Sequence, residues 1–175
     1  MATYSIDTTH SEVHFKVKHL VISTVSGHFQ KFEGTLESNE PDFSDAKIKF
    51  SADVNSIDTN NEQRDGHLKS DDFFNAEKFP AITFVSKELK KEGLSNFKLI
   101  GDLTIRDITK TIELDTEYAG LAIDPWGNTK IGFEVTGKIN RFDYDLKWNV
   151  LTEAGGAMVS SDIKLALNIQ LVKNA

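Results

Sequence analysis

Apolar residues recur at every second position along most of this chain, and no other feature restricts the fold as much. Val13, Phe15, Val17 and His19 share one face, with His14, Lys16 and Lys18 on the other. Ile48, Phe50, Ala52 and Val54 alternate with Lys47, Lys49, Ser51 and Asp53. The same rhythm runs through Ile82–Phe84, Leu99–Ile105, Ile112–Tyr118, Ile131–Ile139 and Ile163–Leu171, and Gly27 to Ser38 reads as one more strand, with Gly34 marking a bulge or bend. The spacing predicts about eight strands, each with one apolar and one wet face, which is the signature of an antiparallel sheet. Such strands can close into a barrel, and closure removes exposed edges. Breakers stand between them: Asn39-Glu40-Pro41-Asp42, Glu92-Gly93, Asp124-Pro125-Trp126-Gly127-Asn128 and Gly155-Gly156.

Length and composition narrow what such a barrel can do. The 175 residues suit a single domain, 1–175, with no Gly/Ser-rich linker to divide it. Cysteine is absent, which excludes disulfides, thiol nucleophiles and cysteine-ligated metals. No cofactor is implied. A net charge of −7 argues against a partner of nucleic acid or an anionic membrane. No run of 18 apolar residues provides for stable membrane insertion. Met1 to Asp7 lacks a basic segment followed by an apolar one, so the chain as written is expected in the cytoplasm, or in the periplasm if it is a mature form whose signal has been removed. Phe numbers twelve, against three Tyr and two Trp. Phe carries no polar handle, so this excess serves a large apolar volume, either packed solid or held open around one small ligand.

The segment from Asn60 to Pro80 breaks the alternation. Asn60 or Asn61 can cap a short helix reaching His67 or Leu68, and Ser70 can cap a second, with Asp71 and Asp72 in its first turn. A helical insertion over about residues 60–78 would therefore cross an all-β chain, and if it covers a barrel mouth then Leu68, Phe73, Phe74 and Phe79 point inward. Arg64, Asp65 and His67 form a polar set there, read either as a solvated helix with an internal ion pair or as groups that anchor the insertion or meet a polar ligand end. Arg141 and Asp143 read as an ion pair at the rim. His10 and His14, four apart on extended chain, would stand roughly 13 Å apart, too far to share one metal ion. His19 on an apolar face is a hydrogen-bonded structural residue or a contact for a ligand head group.

These residues also carry a resemblance. Arg64-Asp65-x-His67-Leu68, then Phe73-Phe74, Phe79-Pro80 and Ile82-x-Phe84-x-Ser86, resembles the signature of the YceI-like family of bacterial polyisoprenoid-binding proteins. Three other blocks agree: Tyr4-x-Ile6-Asp7 through His19 with Gly27-x-Phe29, Gly101-x-Leu103-Thr104-Ile105, and Arg141-Phe142-Asp143-Tyr144. Asp107 and Asp145 stand where the family usually has Gly, and Thr111 where it often has Pro. The resemblance implies an extended lipocalin-like antiparallel barrel around a hydrophobic tunnel. It implies non-catalytic binding, sequestration or transport of an isoprenoid-like amphiphile such as a polyprenyl phosphate, quinone tail or fatty amide, and a tendency to form homodimers. The expected ligand-binding residues are Phe15, Val17, His19, Phe29, Phe50, Arg64, His67, Leu68, Phe73, Phe74, Phe84, Leu103, Phe133 and Leu167. Two rival readings are a solid-cored stress or interaction protein, and an enzyme acting on a lipid head group through His67 and Asp65.

Overall fold

The computed structural model describes residues 1–20, 22–148 and 159–175. Eleven strands run in the order β1 (Ala2–Ile6), β2 (Glu12–His19), β3 (Ser23–Phe29), β4 (Phe32–Ser38), β5 (Lys47–Asp53), β6 (Ile57–Asp58), β7 (Ala81–Lys91), β8 (Asn96–Ile105), β9 (Ile108–Ile123), β10 (Thr129–Asn140) and β11 (Val159–Lys173). All pairings are antiparallel. Following neighbours through β1, β4, β5, β7, β8, β9, β10 and β11 returns to β1, so these eight strands close a barrel. The inward residues of β8 are Phe97, Leu99, Gly101, Leu103 and Ile105, all buried, while Lys98, Asp102 and Thr104 face out. The alternation in the sequence is thus the inside and outside of the wall.

The strand count exceeds eight because three long strands are each interrupted at the same level. A 3₁₀ turn at Thr8–His10 separates β1 from β2, Gln30 and Lys31 separate β3 from β4, and a 3₁₀ turn at Val54–Ser56 separates β5 from β6. The single strand expected over Gly27–Ser38 is therefore two. The break falls at Gln30–Lys31 rather than Gly34, whose pairing with Phe50 continues an unbroken register. Gly34 is needed for closeness instead: a Cβ there would sit 2.6 Å from Ile6 Cδ1. Two of the interruptions are stitched to each other and the third is tied to β11. Asp53 donates its N–H to Lys31 O at 2.9 Å, Gln30 to Ser56 O at 3.1 Å, and Asp7 to Gln170 O at 2.8 Å.

This shared bend decides where the barrel opens. Below it, β4, β5 and β7 pair side by side. Above it, β2, β3 and β6 continue the wall, β6 is the last strand, and α1 (Glu62–Lys69) follows. Asn61 caps α1, its side chain accepting from Arg64 N. The second helix expected after Ser70 does not form. Ser70 instead ends α1, donating both its N–H and its hydroxyl to His67 O. Residues 71–78 turn back through Asn75 in the left-handed region. The turns at 39–42, 92–93 and 124–128 lie between strands as expected. The Gly155-Gly156 turn falls outside the described residues.

Candidate functional site, a lidded apolar cavity

The residues that parity sends inward are not all buried. On β11, Ile163, Leu165, Leu167 and Ile169 face the interior yet keep intermediate exposure, as do Phe15 and Val17 on β2 and Phe50 on β5. The reason is that they line a cavity of about 540 Å³ running along the barrel. That volume lies within the range of small-molecule sites, and its walls are hydrocarbon over most of their length.

One end is closed. Phe43, from the loop between β4 and β5, stacks edge-on against Tyr4 at 6.0 Å and Phe133 at 5.8 Å and tilts over Tyr118 at 5.5 Å. The loop that presents it is held by Asp45, whose carboxylate accepts from the Ser38 hydroxyl and the Asn39 and Glu40 amides. Those donors, Ser38 foremost, bring the Asp45 pKa down to about 2.

The other end is covered by α1 and the turn after it. Arg64 donates from Nε to Thr59 Oγ1 at 2.8 Å and from its terminal nitrogen to Thr59 O at 2.6 Å. Asp65 accepts from Thr59 N at 2.9 Å and from the Thr59 hydroxyl. Of the two readings of this polar set, an internal ion pair or an anchor, the geometry matches the second: Arg64 and Asp65 are both turned onto Thr59, and so pin the lid to the end of β6. His67 lies edge-on to Trp148 at 4.7 Å and to Phe73 at 5.1 Å, while its Nε2 stands 2.8 Å from Asp72. His67, Phe73 and Trp148 thus make an aromatic cap.

Polar lining residues concentrate at this covered end: His19, Thr59, Asn61 and Gln63 beside Arg64, His67 and Arg141; Thr35, Lys49 and Thr116 lie elsewhere on the lining. Arg141 differs from its sequence reading. It is 1% exposed and its guanidinium donates to four carbonyls, those of Leu146, Trp148, Ser160 and Val159. Asp143 is exposed, and among the described residues no ion pair joins the two. Burial lowers the Arg141 pKa and pushes the neighbouring Tyr144 phenol up to about 12.

All fourteen residues named from the sequence lie on the cavity wall. Phe79, expected inward, does not: it stacks beneath Arg106 at 5.5 Å and Lys78 at 5.4 Å on the outer side, just before Pro80 directs the chain into β7. Other lining residues escaped the reading. Ile163, Leu165 and Ile169 share the parity of Leu167 and were within reach of it. Trp148 and Arg141 stand outside any alternating segment, so no periodic signal marks them. Two glycines shape the wall. A Cβ on Gly27 would meet the Phe15 ring at 2.4 Å, and one on Gly101 the Phe84 ring at 2.4 Å. Each allows a ring to lie flat against the backbone and leave the lumen free.

The family profile described as the YceI-like domain matches residues 4–171. The chain belongs to the YceI-like family. A UPF0312 protein of Staphylococcus aureus (strain MSSA476) is 40% identical over 165 residues, 94% of each chain. The crystal structure of a Campylobacter jejuni YceI protein is 34% identical and superposes with a TM-score of 0.77 over 90% of both chains. Two more distant YceI-like folds agree in architecture. Burkholderia cenocepacia BcnA has a TM-score of 0.81 at 20% identity, covering 94% of this chain and 98% of its own. A polyisoprenoid binding domain from Saccharophagus degradans has a TM-score of 0.75 at 16% identity, covering 98% of both. Among the described residues of this YceI-like protein, no helix is long and apolar enough to cross a membrane.

Proposed function

We propose that this protein binds and carries a long-tailed amphiphile of the isoprenoid class, without transforming it. The tail lies along the lumen with its tip toward Phe43, and the head group rests beneath α1 among His19, Arg64 and His67. The observation that carries the reading is the hollow barrel itself. Leu165, Leu167 and Ile169 are inward-facing hydrocarbon left only partly buried, an arrangement that gains free energy only when something apolar fills it. A tail burying on the order of 500 Å² would gain roughly 12 kcal/mol before the costs of association. The polyisoprenoid binding of the Saccharophagus degradans domain supports the ligand class. A solid-cored role fits poorly with a lumen of about 540 Å³. Catalysis through His67 and Asp65 fits poorly as well, since Nε2 of His67 is engaged by Asp72 and Asp65 is spent on Thr59. Head-group chemistry needs two groups that converge.

Native mass spectrometry of freshly purified protein tests this, together with uptake of a fluorescent polyprenol analogue. A bound lipid, or saturable uptake, is the expected result. Leu165→Trp, which fills the lumen, should abolish uptake while the protein stays folded. A clean ligand-free mass with no uptake of the analogue would count against the proposal.

A further inference from the structure

The outer wall beside the lidded end carries a row of lysines that the overall charge conceals. Lys138 on β10 lies directly opposite Lys164 on β11, and Lys164 directly opposite Lys16 on β2, all three exposed. Lys18, two residues on along β2, extends the row toward the strand end. Like charges set directly across a sheet destabilise it, so such a row in an acidic chain points to a role outside folding. Asp162 reaches Lys138 at 3.6 Å; among the described residues Lys16, Lys18 and Lys164 have no ion-pair partner.

The row leads to exposed hydrocarbon at the same end. His19 closes β2, pairs with Val159 and lines the cavity. Leu20 follows it at 37% exposure and Ile22 stands at 88%. Phe142 is 39% exposed next to Arg141, whose guanidinium holds Val159 and Ser160. A second exposed apolar group, Leu121, Ile123 and Trp126, sits at the β9–β10 turn; Lys130 beside it is held by Asp7 at 3.3 Å and Asp124 at 3.8 Å, and no lysine row like that of Lys138, Lys164 and Lys16 adjoins it among the described residues.

We infer that Leu20, Ile22, Phe142 and the lysine row form a docking surface for an anionic phospholipid bilayer. The lysines lie against the head groups while Leu20, Ile22 and Phe142 dip into the interface, and the lidded end of the lumen is thereby held where an amphiphile can pass between membrane and barrel. Apolar tips flanked by cations bind such surfaces reversibly and without spanning them. The inference rests on the reading of the lumen as a lipid site, but its test does not.

Co-sedimentation of ligand-free protein with vesicles of phosphatidylcholine, with and without phosphatidylglycerol, measures docking alone. Binding is expected to the anionic vesicles only, and to fall at high salt. The double variant Lys16→Gln/Lys164→Gln should weaken it about thirtyfold, at roughly fivefold per lysine. Ile22→Ser should weaken it about tenfold, and Trp126→Ser should leave it unchanged. The lysine and Ile22 variants should also slow transfer of the polyprenol analogue out of anionic vesicles, yet take it up normally from a detergent dispersion. Wild-type protein that ignores anionic vesicles, a double variant that binds like wild type, or loss of binding in Trp126→Ser would each overturn the docking surface. Failure to take up the analogue from detergent would instead overturn the lumen as a lipid site.

Discussion

At the scale of single residues, two buried polar groups set apart the wall of this barrel from an ordinary core. Thr116 is 6% exposed and its hydroxyl finds no hydrogen-bond partner among the described residues. Leaving a buried hydroxyl unpaired costs about 1–3 kcal/mol. Thr116→Val keeps the shape and removes that cost, so equilibrium urea unfolding should show a gain of about 1 kcal/mol. Arg141 is the opposite case. Its planar fork serves four carbonyls at once, which a lysine ammonium on a flexible stem does not reproduce. Arg141→Lys should cost about 2–4 kcal/mol by the same measurement, and a loss below about 0.5 kcal/mol would mean the fork matters little. Asp145 adopts φ 63°, in the left-handed region that favours glycine.

Elements show how local hydrogen bonding places the two ends of the lumen. The loop from Asn39 to Ala46 holds Phe43 because Asp45 stays ionised. Its folded pKa, about 2, lies below the ordinary value of 3.8, so the unfolded chain takes up the proton first. Stability from this group is therefore complete above pH 4 and is lost as pH falls from about 4 to about 2. Asp7 acts in the same direction. The Thr9 hydroxyl above all, with His10 and Lys130, holds its carboxyl well below the usual range at the β1–β2 break. Melting temperature should fall with acid over this window in wild type and less steeply in Asp45→Asn; parallel curves would show that Asp45 is not a source of the slope. At the other end, α1 depends on Thr59. Asp65→Ala removes both bonds to it, and amide exchange in Glu62–Lys69 should quicken about tenfold while β8 and β10 stay protected.

For the whole molecule, the division between what was readable and what was not follows from the range of the interactions involved. Alternation is a local property, because a strand puts successive side chains on opposite faces whatever its neighbours do. It marked Phe15, Val17, Phe50, Leu103, Phe133 and Leu167 as inward. The helix capped at Asn60 or Asn61 was legible for the same reason, and the structure chooses Asn61, whose side chain accepts from Arg64 N within one turn. The second helix was not: Ser70 closes α1 with its N–H and hydroxyl instead of opening another, a choice made by chain reversal at Asn75. Phe79 was misplaced because its stacking partner Arg106 lies on a distant hairpin. Trp148 belongs to no repeating pattern, and contacts between distant parts of the chain bring it to the lumen: His67 and Phe73 pack on its ring, and Arg141 binds its carbonyl. The sequence by itself determined about eight antiparallel strands, each with an apolar and a wet face, and a capped insertion, because each of those is set by spacing of a few residues. Closure of the wall through β1 and β11, whether the interior was filled or hollow, and which lysines stand side by side on its wall were decided by the tertiary structure, since each depends on the register between strands far apart in the chain.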